Sequence, residues 1–500
     1  MNLNEFPEDI RKYLVPEPSG TMFYRCLGCR AEFDIERLLY TCPSCGGILM
    51  LYHRSTGEKK DIEGTLWRRI FDYRRMLNFN PLKGIFRYYE FIAPIIPLES
   101  IIYLGEAHTP IVMANKNLER LVGLPFYLKN EGLNPSLSFK DRGMASALSF
   151  IDYLAKKKNI KDILTICAST GDTSAAGALY SAYLTDLLKS VVLLPKRRVT
   201  LQQLSQPLGS GATVLEMPGV FDDCMRVVEE LSEEYEVFLL NSKNSWRILG
   251  QESFAFEIAQ DFDYQVADKV LVVPIGNAGN ITAIMNGFLK FLKANIISKL
   301  PKIIGVQSDH ADPVYRYYLE DDPSRRQFKP VDVKPSVAQA AMIGNPVSMP
   351  RVIDLVREYS QAAGQKRIFF VAVTEQEIMD AMIVANKNGH TACTHGGESV
   401  AGFIKAIKGG LVSKGEIGIL DATAHVLKFS PFQQMYLDDR FPPEFEVKPR
   451  RKFKNTPIKI ELKGLRKLPE NGKPLRGKDL DSFTKASTAE IARILNLKKR

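Results

Sequence analysis

An α/β architecture with two open parallel-sheet lobes is predicted by three features of this 500-residue chain. From about residue 101, short apolar runs alternate with amphipathic segments, as parallel strands do when helices cover both faces of their sheet. The alternation continues to about residue 440, further than a single sheet usually extends, which divides the region into two lobes. The composition, 45% hydrophobic and 25% charged, is that of an ordinary globular chain with a large core. No uncharged apolar run approaches the roughly 20 residues of a membrane span, so no membrane partner is expected.

Residues 1–52 read as a separate small segment. The opening MNLNEFPEDI lacks the basic-then-apolar layout of a secretory signal, and a reduced cytoplasmic setting is expected. Cys26, Cys29, Cys42 and Cys45 stand as C-x2-C-x12-C-x2-C, in the knuckles CLGC and CPSCGG. A tight turn at each knuckle lets two thiolates converge on one ion. Four sulfurs complete a closed tetrahedral zinc site, which is structural because no ligand position is left for a substrate. The alternative is four reduced, unliganded thiols. Cys167, Cys224 and Cys393 lie in apolar contexts and show no pairing logic.

Residues 53–100 hold the charged, aromatic-rich run LWRRIFDYRRMLNFN and then proline-punctuated connections, read as a helical linker. In the body, 101–440, buried strands are predicted at 162–168, 190–195, 236–241, 269–276, 302–308, 368–373 and 416–422. Helices are predicted at 172–187, 221–234, 247–261 and 280–293. Ligands in such sheets bind beyond the carboxyl ends of strands. The net charge of +10 lies entirely in residues 441–500, and the remainder is electroneutral. A balanced body with a basic extension is not the pattern of a core that wraps nucleic acid, and no nucleic-acid partner is expected. The extension has Pro and Gly breaks and then a short helical pattern, TAEIARILNL.

Three strand-to-helix junctions carry chemistry. Gly276-Asn277-Ala278-Gly279-Asn280 follows the run KVLVVPI and opens a helix. Small residues and free N–H groups there suit a phosphate, although the loop lacks the spacing of the nucleotide fingerprints and also reads as a plain tight turn. Ala168-Ser169-Thr170-Gly171-Asp172-Thr173-Ser174 crowds hydroxyls at one helix start. That suits a carboxylate, or an ordinary N-cap. Lys140, in SLSFKDRG, sits at the positive end of a helix and close to Arg142. Both effects lower an amine's pKa and favour attack on an aldehyde, against the commoner fate of a solvent-facing lysine.

SLSFKDRG, ASTGDTSAA, GNAGNITA and DATAHVLKF, in this order, resemble the motif series of the fold-type II pyridoxal-phosphate enzymes, and among them the threonine synthases. The resemblance spans residues 100–432 and includes GQESFAFEIAQDFDYQVAD and GNPVSMPRVID. Many members of that family also carry an N-terminal ribbon. The resemblance implies that Lys140 holds pyridoxal phosphate covalently, that Gly276 to Asn280 cradle its phosphate, and that Thr423 meets its ring nitrogen. Asp172 would face the cofactor hydroxyl where much of the superfamily has Asn. An anion beside a phenolate is repelled, so one of the two carries a proton or a neighbour compensates.

Ser169, Thr170, Gly171 and Thr173 would hold the substrate carboxylate. Asn241, Ser242 and Arg247 in NSKNSWR would hold a substrate phosphate, where an arginine fork with neutral donors suits a dianion. Trp246 reads there as a substituted spacer. His108 reads as bordering the cleft, His395 and Glu398 as packed at a helix start or near the cofactor, and His425 as a support for Thr423.

The implied reaction is conversion of O-phospho-L-homoserine and water to L-threonine and phosphate, with Lys140 as the recurrent base and the enzyme a homodimer. A paralogue acting on O-phosphoserine, as cysteate synthase does, stays open. So does a silent regulatory or RNA-binding homologue.

Overall fold

The structure, a computed structural model, describes all residues except 1–2, 55–61, 170, 197–200, 220, 236, 466–467, 471–472 and 500, and omits the side chains of 202–203 and 221–222. Met1–Phe453 form one compact unit and Lys454–Arg500 a second. Among the described residues, no helix is long and apolar enough to cross a membrane.

The first unit begins with an antiparallel ribbon: β1 (Thr21–Cys26), β2 (Glu32–Asp34) and β3 (Leu49–Arg54), in the order β2-β1-β3. Its knuckles bring the sulfurs of Cys26, Cys29, Cys42 and Cys45 within 4.8 Å of one another. Gly47 is required there, because a Cβ would stand 2.9 Å from the Cys26 sulfur.

The chain then reaches β4 (Ile111–Met113) and β5 (Phe126–Asn130), crosses to β6 (Ile163–Ala168), β7 (Leu188–Pro195), β8 (Thr213–Met217) and β9 (Val237–Leu239), and returns to β10 (Lys269–Pro274), β11 (Lys302–Ser308), β12 (Ile368–Val373) and β13 (Ile417–Ala422). The excursion builds a four-stranded parallel sheet in the order β8-β7-β6-β9. The flanking parts build a six-stranded sheet, β12-β11-β10-β13-β5-β4. It is parallel except for β4, which runs antiparallel on β5 at the edge. Helices joining these parallel strands cover the sheets, which is why β10 is buried along its whole length.

Residues 62–100 pack as part of the core. Helix Gly64–Arg74 buries Trp67, Ile70 and Phe71, and Phe71 stacks on Phe291 of the large lobe at 5.8 Å. Arg74 is fully buried and donates to Glu90 at 2.7 Å and to the carbonyls of Tyr13, Leu14 and Arg87. The segment predicted as one helix over 247–261 is two, Ser245–Gln251 and Ser253–Asp261. The second unit contains helix Gly477–Leu495, with no buried residue, rather than the short pattern expected at its end.

Two glycines let the helix Lys140–Lys158 touch Ser245–Gln251 backbone to backbone. A Cβ on Gly250 would lie 2.1 Å from the Arg142 carbonyl oxygen, and one on Gly143 would lie 2.9 Å from that of Arg247. This contact fixes the spacing between Lys140 and Arg247. Gly250→Ala is therefore expected to push the two helices apart and lower unfolding stability by about 1–3 kcal/mol. An unchanged denaturant midpoint would contradict the close packing.

Candidate active site

Both sheets end at one cleft of about 950 Å³, part of it open to solvent. Its lining includes Lys140, Ser169, Gly171, Asp172, Thr173, Asn241, Ser242, Arg247, Gly276 to Asn280 and Thr423. Every position here follows the carboxyl end of a parallel strand or opens the helix beyond it, where backbone N–H groups and side chains converge. Thr170 lies outside the described residues.

Lys140 is held by its neighbours in two loops. The Phe139 N–H donates to the Thr423 carbonyl at 3.0 Å, and the His425 N–H donates to that of Leu137 at 3.0 Å. Ser138 and Ala424 form an antiparallel bridge between them. The lysine and the threonine are thus fixed in register. Burial first, and the nearby Arg247 charge second, bring the Lys140 amine down to about 7. It is largely uncharged just above neutrality, as a nucleophile or base must be.

Arg247 is 2% exposed. Its Nη1 donates to the Leu240 carbonyl at 3.0 Å, its Nε has no partner, and among the described residues no carboxylate forms a salt bridge with it. Burial holds its pKa down at about 10. A desolvated guanidinium without a counterion calls for an anionic ligand.

Asn241 is committed to the frame: its side chain accepts from the Ala168 N–H at 3.0 Å and donates to the Ala168 carbonyl. One amide hydrogen is left for a ligand. Ser242 lines the cleft, and its carbonyl accepts from Arg351 Nη1 at 3.1 Å. Arg351 also donates to the carbonyls of Lys243 and Leu49. Trp246 is no spacer. It stacks on Phe150 at 3.7 Å and donates to the Tyr24 hydroxyl of the ribbon at 3.1 Å.

The loop Gly276 to Asn280 enters helix Gly279–Lys293 through Ala278, whose φ is 62°. The N–H groups of Asn277, Ala278 and Gly279 have no backbone acceptor among the described residues. The Asn280 amide donates one hydrogen to Asp421 at 2.7 Å, which leaves its second amide hydrogen and a buried, unpartnered Oδ1 beside its backbone N–H. Gly276 is required by close approach, since a Cβ would meet the Ala341 Cα at 2.9 Å. At the other helix start, Ser169 Oγ accepts from the Gly171 N–H at 3.0 Å. Among the described residues no side chain caps helix Asp172–Ala182, which leaves its first N–H groups to a ligand.

Thr423 Oγ1 lies 3.8 Å from the Cys393 sulfur, itself 3.8 Å from His395 Nδ1. His395 lines the cleft, and burial pushes its pKa down to about 4, so the ring is neutral. Glu398 is buried away from the cleft lining. His108 is also absent from that lining and pairs with Arg87 at 2.7 Å. His425 caps the turn that follows it, accepting from the Leu427 N–H at 3.2 Å. Lys428, assigned no role from sequence, reaches Asp172 Oδ1 at 2.9 Å. The requirement that a neighbour compensate Asp172 is the signal that points to it.

The family described as pyridoxal-phosphate dependent enzyme matches residues 102–420. A threonine synthase of Methanocaldococcus jannaschii is 36% identical over 410 residues, 81% of this chain and 93% of that protein. The chloroplastic threonine synthase 2 of Arabidopsis thaliana is 31% identical, covering 80% of this chain and 75% of that protein. The Escherichia coli threonine synthase structure superposes with a TM-score of 0.63 at 20% identity, over 85% of this chain and 94% of that one. At that identity it shows a shared fold.

An amine with a pKa near 7 predicts its own pH profile. Below it Lys140 holds a proton and has no lone pair, so condensation with an added aldehyde is expected to accelerate with rising pH and reach half its plateau near pH 7. A stopped-flow absorbance series over pH checks this, with Lys140→Ala giving no adduct band.

Proposed function

The chain belongs to the pyridoxal-phosphate-dependent enzymes, and within them to the threonine synthases, and from that premise we infer that it converts O-phospho-L-homoserine and water to L-threonine and phosphate. The observation that carries the substrate is Arg247, a buried cation with no carboxylate partner among the described residues, lining the same cleft as the low-pKa Lys140.

The cleft fits the cofactor. Lys140 offers an amine whose pKa is brought down to about 7, the loop 276–280 offers N–H groups with no backbone acceptor among the described residues, and Thr423 offers a hydroxyl in register with Lys140. Lys140 would hold the aldehyde carbon, Gly276 to Asn280 the cofactor phosphate, Thr423 the ring nitrogen and Asp172 the ring hydroxyl. When bound, the cofactor delocalises the electron pair left on the substrate α-carbon.

The chain's own residues supply the rest. Ser169, Thr170, Gly171 and Thr173 bind the substrate carboxylate at the uncapped helix start. Arg247, with Ser242 and the remaining amide hydrogen of Asn241, binds the substrate phosphate and accepts its charge as it leaves. Lys140, as the low-pKa base in reach, takes the α-proton, which departs on the leaving phosphate, then takes a β-proton and returns it at the γ-carbon, and after water adds at the β-carbon delivers that water's proton to the α-carbon. Walls from both lobes shield the reacting carbons, and the open side of the cleft admits the water that adds at the β-carbon.

Cys26, Cys29, Cys42 and Cys45 bind structural zinc in this reading. Cys26 and Cys45, and likewise Cys29 and Cys42, approach to 3.5 Å, close to the roughly 3.8 Å that tetrahedral thiolates at 2.3 Å from zinc require. The ribbon so held supports the phosphate segment, because the Leu49 carbonyl accepts from both Ser245 Oγ and Arg351. Seven cysteines without a disulfide accord with a reducing cytoplasm. The proposed assembly, on family resemblance, is a homodimer.

Phosphate release from O-phospho-L-homoserine is expected to depend on added pyridoxal phosphate and to exceed release from O-phospho-L-serine. The reverse preference would overturn the substrate. Arg247→Met is expected to lower kcat/KM by about 10- to 100-fold, the loss of one charge-assisted pair. Metal analysis is expected to find one zinc per chain, and its removal by chelation to raise KM more than it lowers kcat.

A further inference from the structure

Asp172 and Lys428 form a buried ion pair that joins the two lobes behind the cleft wall. Asp172 opens the helix after β6 in the small lobe and is 4% exposed; Lys428 follows β13 in the large lobe and is 2% exposed. Nζ stands 2.9 Å from Asp172 Oδ1 and donates to the Ser136 carbonyl at 2.9 Å. Asp172 is part of the cleft lining and Lys428 is not. The carboxylate therefore meets a ligand from the front while the ammonium balances it from behind.

The balance matters because of what else faces the carboxylate. Lys140, His395 and Cys393 all interact electrostatically with Asp172. Asp141, in turn, interacts with Lys428. A lone carboxylate in such a place costs several kcal/mol of desolvation and would take up a proton instead. It would then titrate beside the ring hydroxyl and disturb the adduct at Lys140.

We propose that Lys428 is a positioning residue of the reaction: by pairing with Asp172 from the far lobe it keeps that carboxylate ionised and aimed at the cofactor hydroxyl, so that the pair acts on the cofactor as a neutral unit. The inference rests on the cofactor assignment above. It explains how an acid occupies a position at which a neutral amide would need no counterion. It also makes the acid and the lysine interdependent. Removing the lysine alone strands a charge, whereas removing both charges strands none.

The test compares wild type, Lys428→Met, Asp172→Asn and the double variant as holoenzymes. The near-visible band of the cofactor–lysine adduct is followed against pH, and cofactor affinity is measured by absorbance titration. Lys428→Met is expected to add a second titration step absent from wild type, because an unpaired buried carboxylate ionises with a raised pKa. It is also expected to weaken cofactor binding by about 10-fold or more. The double variant is expected to lose that step and to recover affinity to within about threefold of Asp172→Asn.

Superimposable profiles for wild type and Lys428→Met would overturn the proposal, as would a double variant no better than Lys428→Met. If Lys428→Met does not fold, Asp172→Asn against the double variant decides. Equal spectra and affinities support the pair, and a further loss on removing Lys428 overturns it. A wild-type protein that develops no near-visible band with pyridoxal phosphate refutes the cofactor assignment instead.

Discussion

The Arg142 guanidinium is the group on which the site's geometry depends. It lies fully buried between two carboxylates: Glu131, at 2.7 Å from Nε and 2.8 Å from Nη2, and Glu257, which takes both Nη1 and, at 2.8 Å, Nη2. Ser253 Oγ accepts from Nη1 at 2.9 Å, and Lys129 Nζ pairs with Glu257 at 2.8 Å. Burial by itself would weaken the arginine's charge, but the two carboxylates outweigh it and hold its pKa well above the ordinary value. The network joins the end of β5, the first turn of the Lys140 helix and the helix Ser253–Asp261. A break at any one member would leave an uncompensated buried charge, at about 3–5 kcal/mol. Lys140, two residues away, inherits that rigidity.

The cleft is built on an opposite rule. Around Arg142 every charge is answered, whereas among the described residues no carboxylate pairs with Arg247, and at Lys140 the proton is held weakly. Satisfied ions set the frame and unsatisfied ones mark where a ligand supplies the missing charge. Asp172 combines both, answered from behind by Lys428 and open toward the cleft. This separation would let one small volume take the two phosphates and the carboxylate of the proposed reaction without cations collecting across the whole surface, consistent with a body that is electroneutral over residues 1–440.

The ribbon takes part in the same frame. Tyr24 and Leu49 share one hydrophobic core with Trp246 and Phe150, and hydrogen bonds from Ser245, Trp246 and Arg351 all end on the ribbon. The Asn241–Arg247 segment is therefore clamped between the ribbon and helix Met349–Ala363. The role proposed for this segment, holding a leaving phosphate, needs such support, because the segment must keep its shape while the charge on its ligand changes.

Local pattern alone determined the strands at 302–308 and 368–373, which match to the residue, because a buried parallel strand is an apolar run with polar ends. It missed β5, whose Lys129 breaks the run yet is buried on Glu257, and the half-exposed edge strand β8. Residue chemistry with motif order singled out Lys140, Arg247, Thr423 and the 276–280 loop, which the fold brings to one cleft, since each sits at a strand-to-helix junction that local pattern reveals. What only the tertiary structure decided is which charges are paired. Arg351 and Lys428 are single basic residues far in sequence from Ser242 and Asp172, and no local rule connects them. Pairing in a buried cleft is a matter of distance and desolvation across lobes, and these exist only once the chain has folded.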